Sequence, residues 1–324
     1  MTWASLRRIA RGTAFCLLSI QTAGGCKTGH VNPPVQFTSE DWSFHGAPGR
    51  KLSSDHYVLY TTHKAKPFVD SLPGFMESSW AAYEKVIPSQ GGEHKCDSYL
   101  FGTRAQWERF SEEFSPARAE TYKKIRSGGY SERGITASHY DSQRSTLSVL
   151  AHEGLHQYLE VTRGKEIPAW LNEGLACYFE MFDLDYDNRP IFRPEANTLR
   201  LPGLREAVLS KGLIPLKDIL NTNAGLEVQK KSTHVRNYYS QEWALVLFLM
   251  RPAKHNPYSA GFHQLLAEVG TENMTRRARA IMAADTEGNM GFGEAVFRAY
   301  ITDDLEGFQG AYESYIQDLV GMKG

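Results

Sequence analysis

Hydrophobic positions follow two different patterns along the chain, and the change falls near Ser142. Before that point, short alternating runs predict strands and longer runs with helical spacing predict helices. The predicted strands lie within residues 56–62, 97–102 and 128–140, and the predicted helices cover 67–86, with a turn near Pro73, and 104–114. After it, helical spacing covers residues 145–161, 168–182, 204–211, 237–250, 258–269, 271–284, 291–300 and 303–320. We therefore predict an α+β fold, in which a small and mostly antiparallel sheet half (51–141) precedes a helical half (142–324).

The first 25 residues have the pattern of a signal peptide. Three arginines precede a short apolar run at residues 14–20, which is too short to span a bilayer permanently. Small residues before Cys26 resemble a bacterial lipoprotein cleavage site, although Ala23 stands where leucine is usual. We expect export to the cell envelope or periplasm, with either a lipid anchor on Cys26 or ordinary cleavage. Residues 26–50 are rich in Gly and Pro, which predicts a flexible tether.

Composition narrows the class of protein. Of the 324 residues, 41% are hydrophobic and 23% are charged, which is typical of a globular chain and not of a disordered one. A net charge of -1 gives no electrostatic basis for binding nucleic acid. Export would permit a disulfide between Cys96 and Cys177, but two separate buried thiols are the preferred interpretation.

His152-Glu153-Gly154-Leu155-His156 forms an HExxH motif within a predicted helix. Residues four apart lie one turn apart on the same face of a helix, so both imidazoles could reach one Zn²⁺ at about 2.0–2.1 Å. Glu153 lies about 100° further round the helix, where it could reach a water at the metal without ligating it. The motif therefore predicts a catalytic metal site.

A catalytic zinc needs a third protein ligand. Glu160 shares the face but would lie about 12 Å along the helix axis from His152, too far for one metal. The metzincin pattern is excluded because Leu159 and Thr162 replace its glycine and histidine. The better candidate is Glu173, on a second helix that could pack beside the first and point at both histidines.

HEGLH followed by WLNEGLA (170–176) resembles the gluzincin metallopeptidases, the thermolysin-like clan whose third ligand is a Glu in an Asn-Glu-x-x-Ala helix. Most of residues 51–320 is also similar to a poorly characterised family of bacterial peptidase-MA-like exported proteins. The resemblance implies a metallopeptidase-like catalytic domain over 51–324, with a zinc cleft between its two halves. It implies Zn²⁺ on His152, His156 and Glu173, with Glu153 as general base and Asn172 orienting its neighbours.

In gluzincins, a Tyr or His from the helical half donates a hydrogen bond to the tetrahedral oxyanion. The resemblance best fits Tyr239, which lies four residues before Trp243. Tyr238 and His234 remain open as alternatives for the same role.

The resemblance implies a zinc-dependent hydrolase of peptide or protein substrates. In that clan the substrate backbone adds to a strand at the cleft edge, here expected within 129–140. The glycine-aromatic motif of the aminopeptidase branch is absent from that stretch, which favours an endopeptidase. The alternative is an exported, non-catalytic module that binds a peptide or envelope partner and retains the metallopeptidase fold.

Overall fold

The computed structural model describes residues 34–125, 128–164, 166–227, 230–286 and 288–322. The predicted signal peptide and Cys26 lie outside these residues. The chain from Val35 onward forms one compact unit, so the domain begins earlier than the predicted residue 51. Among the described residues, no helix combines the length and apolarity needed to cross a membrane.

Six strands form one mixed sheet, in the order β1-β2-β3-β4-β6-β5. They are β1 (Thr38–Phe44), β2 (Ala47–Ser53), β3 (Tyr57–Thr61), β4 (Cys96–Phe101), β5 (Gly129–Glu132) and β6 (Ile135–His139). Three neighbouring pairs are antiparallel, but β4 runs parallel to both β3 and β6. Three of the five neighbouring pairs agree with the predicted antiparallel arrangement, and the two parallel pairs make the sheet a mixed one. Helices connect β3 to β4 and β4 to the β5–β6 hairpin, and such crossovers are the connections that parallel strands require.

The predicted tether over residues 26–50 is wrong from Thr38 onward, because β1 and β2 form a hairpin there. His45 and Gly46 occupy its two-residue turn, both with positive φ (47° and 79°), as this tight hairpin geometry requires. β1 is an edge strand whose side chains are largely exposed, so no buried alternation marks it in the sequence. Gly49 in β2 is needed because a Cβ there would stand 2.3 Å from the carbonyl oxygen of Thr61.

Helices make up most of the remaining chain. They are α1 (Lys66–Val86), α2 (Arg104–Phe114), α3 (Ala119–Tyr122), α4 (Gln143–Arg163), α5 (Ala169–Tyr178), α6 (Leu201–Leu209), α7 (Leu216–Asn221), α8 (Ala224–Glu227), α9 (Ser232–Leu249), α10 (Ser259–Glu268), α11 (Glu272–Ala284), α12 (Phe292–Tyr300) and α13 (Leu305–Leu319). A small antiparallel hairpin, β7 (Phe182–Leu184) and β8 (Pro190–Phe192), follows α5. α1 continues through Pro73, so the turn predicted there is wrong; its buried apolar face packs on both sides of that residue. The architecture is α+β.

α4 lies at the centre and packs against α1, α5, β5 and β6. Its Gly154 allows close approach to α1, since a Cβ there would lie 3.1 Å from the Tyr83 hydroxyl oxygen. That hydroxyl donates a hydrogen bond to the Ala151 carbonyl oxygen at 2.7 Å. Cys96 and Cys177 are separate, buried free thiols, as preferred from the sequence. α4 is thus held firmly in the core along the segment that carries the HExxH motif.

Candidate metal centre

α4 places His152 and His156 one turn apart, with their Nε2 atoms 3.2 Å from each other. Ser142 caps the start of the helix by accepting a hydrogen bond from the Ser145 N–H at 3.3 Å. Each histidine side chain is only 13% exposed. The two ring nitrogens therefore lie close together in a space that is largely shielded from solvent.

α5 brings Glu173 to the same space. Its Oε2 lies 3.5 Å from the Nε2 atom of His152 and 3.5 Å from that of His156. One donor atom from each of the three residues fits within a group whose members all lie within 4.8 Å of one another. The convergence expected from the sequence is observed.

The Nδ1 atom of each histidine has its own hydrogen-bond acceptor. His152 Nδ1 lies 2.9 Å from Glu180 Oε1, and His156 Nδ1 lies 2.9 Å from Asn172 Oδ1. Both acceptors favour the tautomer in which Nδ1 carries the proton, which leaves the Nε2 lone pair available to a metal. The orienting role expected of Asn172 agrees with this contact.

Glu180 was not found from the sequence. It lies just beyond the end of α5, two helical turns after Glu173, and that spacing is the one signal that could have indicated it. Its carboxylate accepts hydrogen bonds from Arg200 and from Asn197 Nδ2, the latter at 3.1 Å. Burial alone would raise the pKa of Glu180, but Arg200 and then His152 hold that pKa down, at about 2.

Glu153 lies beside the donors, 9% exposed. Burial raises the pKa of Glu153 above the usual glutamate value, while His152 and His156 act in the opposite direction. A carboxylate with a raised pKa is a better proton acceptor near neutral pH than an ordinary glutamate.

Tyr239, Tyr238 and His234 are the candidates for donating a hydrogen bond to the oxyanion. Of these, Tyr239 is the one whose ring contacts the ring of a candidate metal ligand, His152. Its ring centroid lies 6.4 Å from that of His152, and the two ring planes are steeply inclined at 68°. Tyr238 is fully buried, and burial and the neighbouring Glu242 raise its pKa. His234 pairs instead with Glu227, at 2.6 Å between Nε2 and Oε2.

Glu160 contacts the turn between β5 and β6 and is not among the three converging donors. Its Oε2 accepts the Gly134 N–H at 2.8 Å, while Gln157 Nε2 donates to the Gly134 carbonyl oxygen at 2.6 Å. Two side chains of α4 thus hold one residue of the turn between β5 and β6. At the other end of β5, a Cβ on Gly129 would lie 3.3 Å from Val149 of α4. The edge strand β5 is therefore anchored to the HExxH helix at both ends.

The chemistry of the donor set is one that could hold a zinc ion. Glu173 Oε2 is buried and accepts no hydrogen bond from any described residue. Two imidazole nitrogens and one carboxylate are a ligand set of catalytic zinc sites. A second grouping of His152, Cys177 and Glu180 fits less well. Arg200 already neutralises Glu180, and burial raises the pKa of the Cys177 thiol to about 11.

A comparison with models of protein families gives a match. A family model described as "Protein of unknown function (DUF1570)" matches residues 146–260 of the 324. A search of curated proteins finds no match. The matched stretch contains the three converging donors, which are His152, His156 and Glu173. It also contains Glu153, Glu180 and Tyr239.

Proposed function

We propose that this protein is a zinc-dependent peptidase of the gluzincin type, with a thermolysin-like cleft between its sheet half and its helical half. The observation that carries the proposal is the buried Glu173 Oε2, 3.5 Å from two imidazole nitrogens and without a hydrogen-bond donor among the described residues. Leaving a buried carboxylate oxygen without a hydrogen bond is costly, and a cation at that point lowers the cost.

The ion would be held by His152 Nε2, His156 Nε2 and Glu173, with Glu180 and Asn172 fixing the two rings. A bound zinc supplies Lewis-acid polarisation and lowers the pKa of a coordinated water toward 7. Both imidazoles must be unprotonated at Nε2 to serve, and their Nδ1 hydrogen bonds fix the tautomer in which the proton is carried by Nδ1.

Glu153 acts as the general base. It accepts a proton from the attacking water and passes that proton to the amine nitrogen of the leaving group. Its position, one residue from His152 and three from His156, places it beside the ligands without making it one.

Tyr239 donates a hydrogen bond to the oxyanion that develops on the substrate carbonyl. Burial, followed by the charge of Glu173, raises the pKa of Tyr239 well above the usual tyrosine value, so its phenol keeps the proton that it donates. Loss of one such donor commonly lowers kcat by about 10²–10³-fold.

The substrate is a peptide or protein segment in extended conformation. β5 is the edge strand next to α4, and its outer edge can pair with an added strand. Attachment to an edge strand needs no free terminus, in keeping with an endopeptidase. Export, and a lipid on Cys26, belong to the same proposal and await a test on the full chain.

The proposal is tested by Glu153→Gln and His156→Ala in the purified full chain. We expect Glu153→Gln to retain one zinc per chain but to lose cleavage of casein and of a fluorogenic peptide library. His156→Ala should lose both zinc and cleavage. Equal cleavage by wild type and Glu153→Gln would contradict the mechanism. A wild type that binds one zinc and cleaves nothing would favour the non-catalytic binding module.

A further inference from the structure

Arg200 joins two residues that the proposed mechanism uses. Its Nε donates to Glu180 Oε2 at 2.7 Å and its Nη2 pairs with Glu180 Oε1, so both carboxylate oxygens are held. The same carboxylate accepts the hydrogen bond of His152. On its other side, the guanidinium carbon of Arg200 lies 5.0 Å from the centroid of the Tyr239 ring.

The main chain of Arg200 is also fixed. Its N–H donates to Asn197 Oδ1 at 3.2 Å, and its carbonyl oxygen accepts the Ser240 hydroxyl at 2.9 Å. Ser240 is the neighbour of Tyr239 on α9, and Gly203 lets α6 approach that point closely, since a Cβ there would lie 2.6 Å from Ser240 Oγ. The Arg200 side chain is 20% exposed, so the protein restricts it from several directions.

These contacts close a ring of four side chains, in which His152 contacts Glu180, Glu180 contacts Arg200, Arg200 contacts Tyr239, and Tyr239 contacts His152. A planar guanidinium can bind a carboxylate with two donors along its edge while its face covers an aromatic ring. Lysine carries the same charge but cannot make both contacts with one rigid group.

We infer that Arg200 is a positioning residue that orients the His152 imidazole, through Glu180, and the Tyr239 ring at the same time. The role of Tyr239 in turnover rests on the proposed peptidase function, whereas the effect on His152 needs only that the site binds a metal. Arg200 itself contacts none of the reacting atoms in this scheme.

The test uses Arg200→Lys, with Arg236→Lys as matched control, since Arg236 is a more exposed arginine of α9 paired with Glu206. Zinc affinity is measured by competition with a chromogenic chelator, and the visible spectrum of the Co²⁺-loaded chain reports ligand geometry. We expect Arg200→Lys to weaken zinc binding about 10–100-fold and to alter the Co²⁺ spectrum, and Arg236→Lys to change neither.

Coupling to Tyr239 is read from kcat. In the wild-type background, Arg200→Lys should lower kcat with little change in KM. In a Tyr239→Phe background, the same substitution should lower kcat by a much smaller factor. A wild-type Co²⁺ spectrum and zinc affinity in Arg200→Lys, or an undiminished kcat effect in the Tyr239→Phe background, overturns the inference.

Two further measurements keep the result decisive. If Arg200→Lys does not fold, Glu180→Gln breaks the same ion pair and must show the same coupling to Tyr239→Phe. If the wild type binds zinc but cleaves nothing, the peptidase proposal fails by itself. The inference is then decided by the metal readouts and by the ¹⁹F resonance of fluorotyrosine at position 239, assigned from Tyr239→Phe. If the ¹⁹F resonance does not shift in Arg200→Lys, the inference that Arg200 orients Tyr239 is contradicted.

Discussion

Gly174 lies directly against the main chain of Glu242, so closely that a Cβ on Gly174 would stand 2.7 Å from the Glu242 carbonyl oxygen. The same Cβ would lie 2.5 Å from Val246 Cγ2. This close approach seats α5 on α9 and fixes the direction of the neighbouring Glu173 toward α4. The geometry of the metal ligands thus depends on a residue without a side chain.

Gly174→Ala should therefore damage both stability and metal binding. Forcing a methyl group into this contact is expected to cost about 1–3 kcal/mol of unfolding free energy, and the shift of α5 should weaken zinc binding. Urea unfolding and chelator competition measure the two effects. Gly310→Ala in α13 is the control, because nothing lies within 4 Å of a Cβ there. Identical behaviour of the two variants would show that the contact is not restrictive.

Asn172→Ala removes the acceptor that holds the His156 ring through Nδ1. Loss of such a partner is expected to lower zinc affinity about 10–100-fold while the fold remains intact. Asn172→Asp keeps an oxygen acceptor at the same place and should retain most of the affinity. The chelator competition assay measures both variants. If Asn172→Ala binds zinc as tightly as the wild type, the ring is held by other means.

Glu77 of α1 should make stability depend on pH in the acid range. It accepts hydrogen bonds from the Ser54 hydroxyl at 2.6 Å and from the His56 N–H and Nδ1 at 2.8 and 2.6 Å. Burial alone would raise the pKa of Glu77, but the bonds from His56 and Ser54 lower it below the usual value. A lowered folded-state pKa gives stability that is present above the unfolded-state pKa, about 4.3, and is lost as the pH falls through the folded-state value.

Glu77→Gln should accordingly be less stable than wild type at pH 7, by about 1–3 kcal/mol, and should lose less stability on acidification. Urea unfolding at several pH values between 7 and the acid limit measures this difference. Glu84→Gln, at an exposed position of the same helix, is the control and should follow the wild-type pH dependence. Parallel curves for wild type and Glu77→Gln would refute the assignment.

The sequence was sufficient to predict the convergence of the three donors. An HExxH helix places two of them by helical period alone, whereas Glu173 was indicated by the resemblance of WLNEGLA to the gluzincin motif. The long helices were predictable for the same reason, since their buried faces repeat every three to four residues. The metal itself and the reaction remain predictions.

The position of β1 and the contacts of Arg200 and Glu160 have no comparable periodic pattern in the sequence. β1 is exposed on its outer edge and carries polar side chains, so its place in the sheet depends on pairing with β2 rather than on its own periodicity. Arg200 lies 20 positions after Glu180, beyond the β7–β8 hairpin, and local sequence patterns do not encode a contact over that separation. The role of Glu160 was missed because its partner is a main-chain N–H, which has no sequence signal.

The hydrogen bond from the Gly134 N–H to Glu160 leads to a prediction about substrate binding. Glu160→Ala removes the acceptor for the Gly134 N–H and loosens one end of β5 from α4. If the substrate adds to the outer edge of β5, its binding should weaken while the ligands, on a different part of α4, stay in place. We expect KM to rise several-fold, with kcat and zinc affinity unchanged. Glu160→Gln retains an oxygen acceptor and is the matched control that should restore the wild-type KM. A fall in kcat at constant KM would instead mean that β5 orients the catalytic residues, and the edge-strand mode of substrate binding would be wrong.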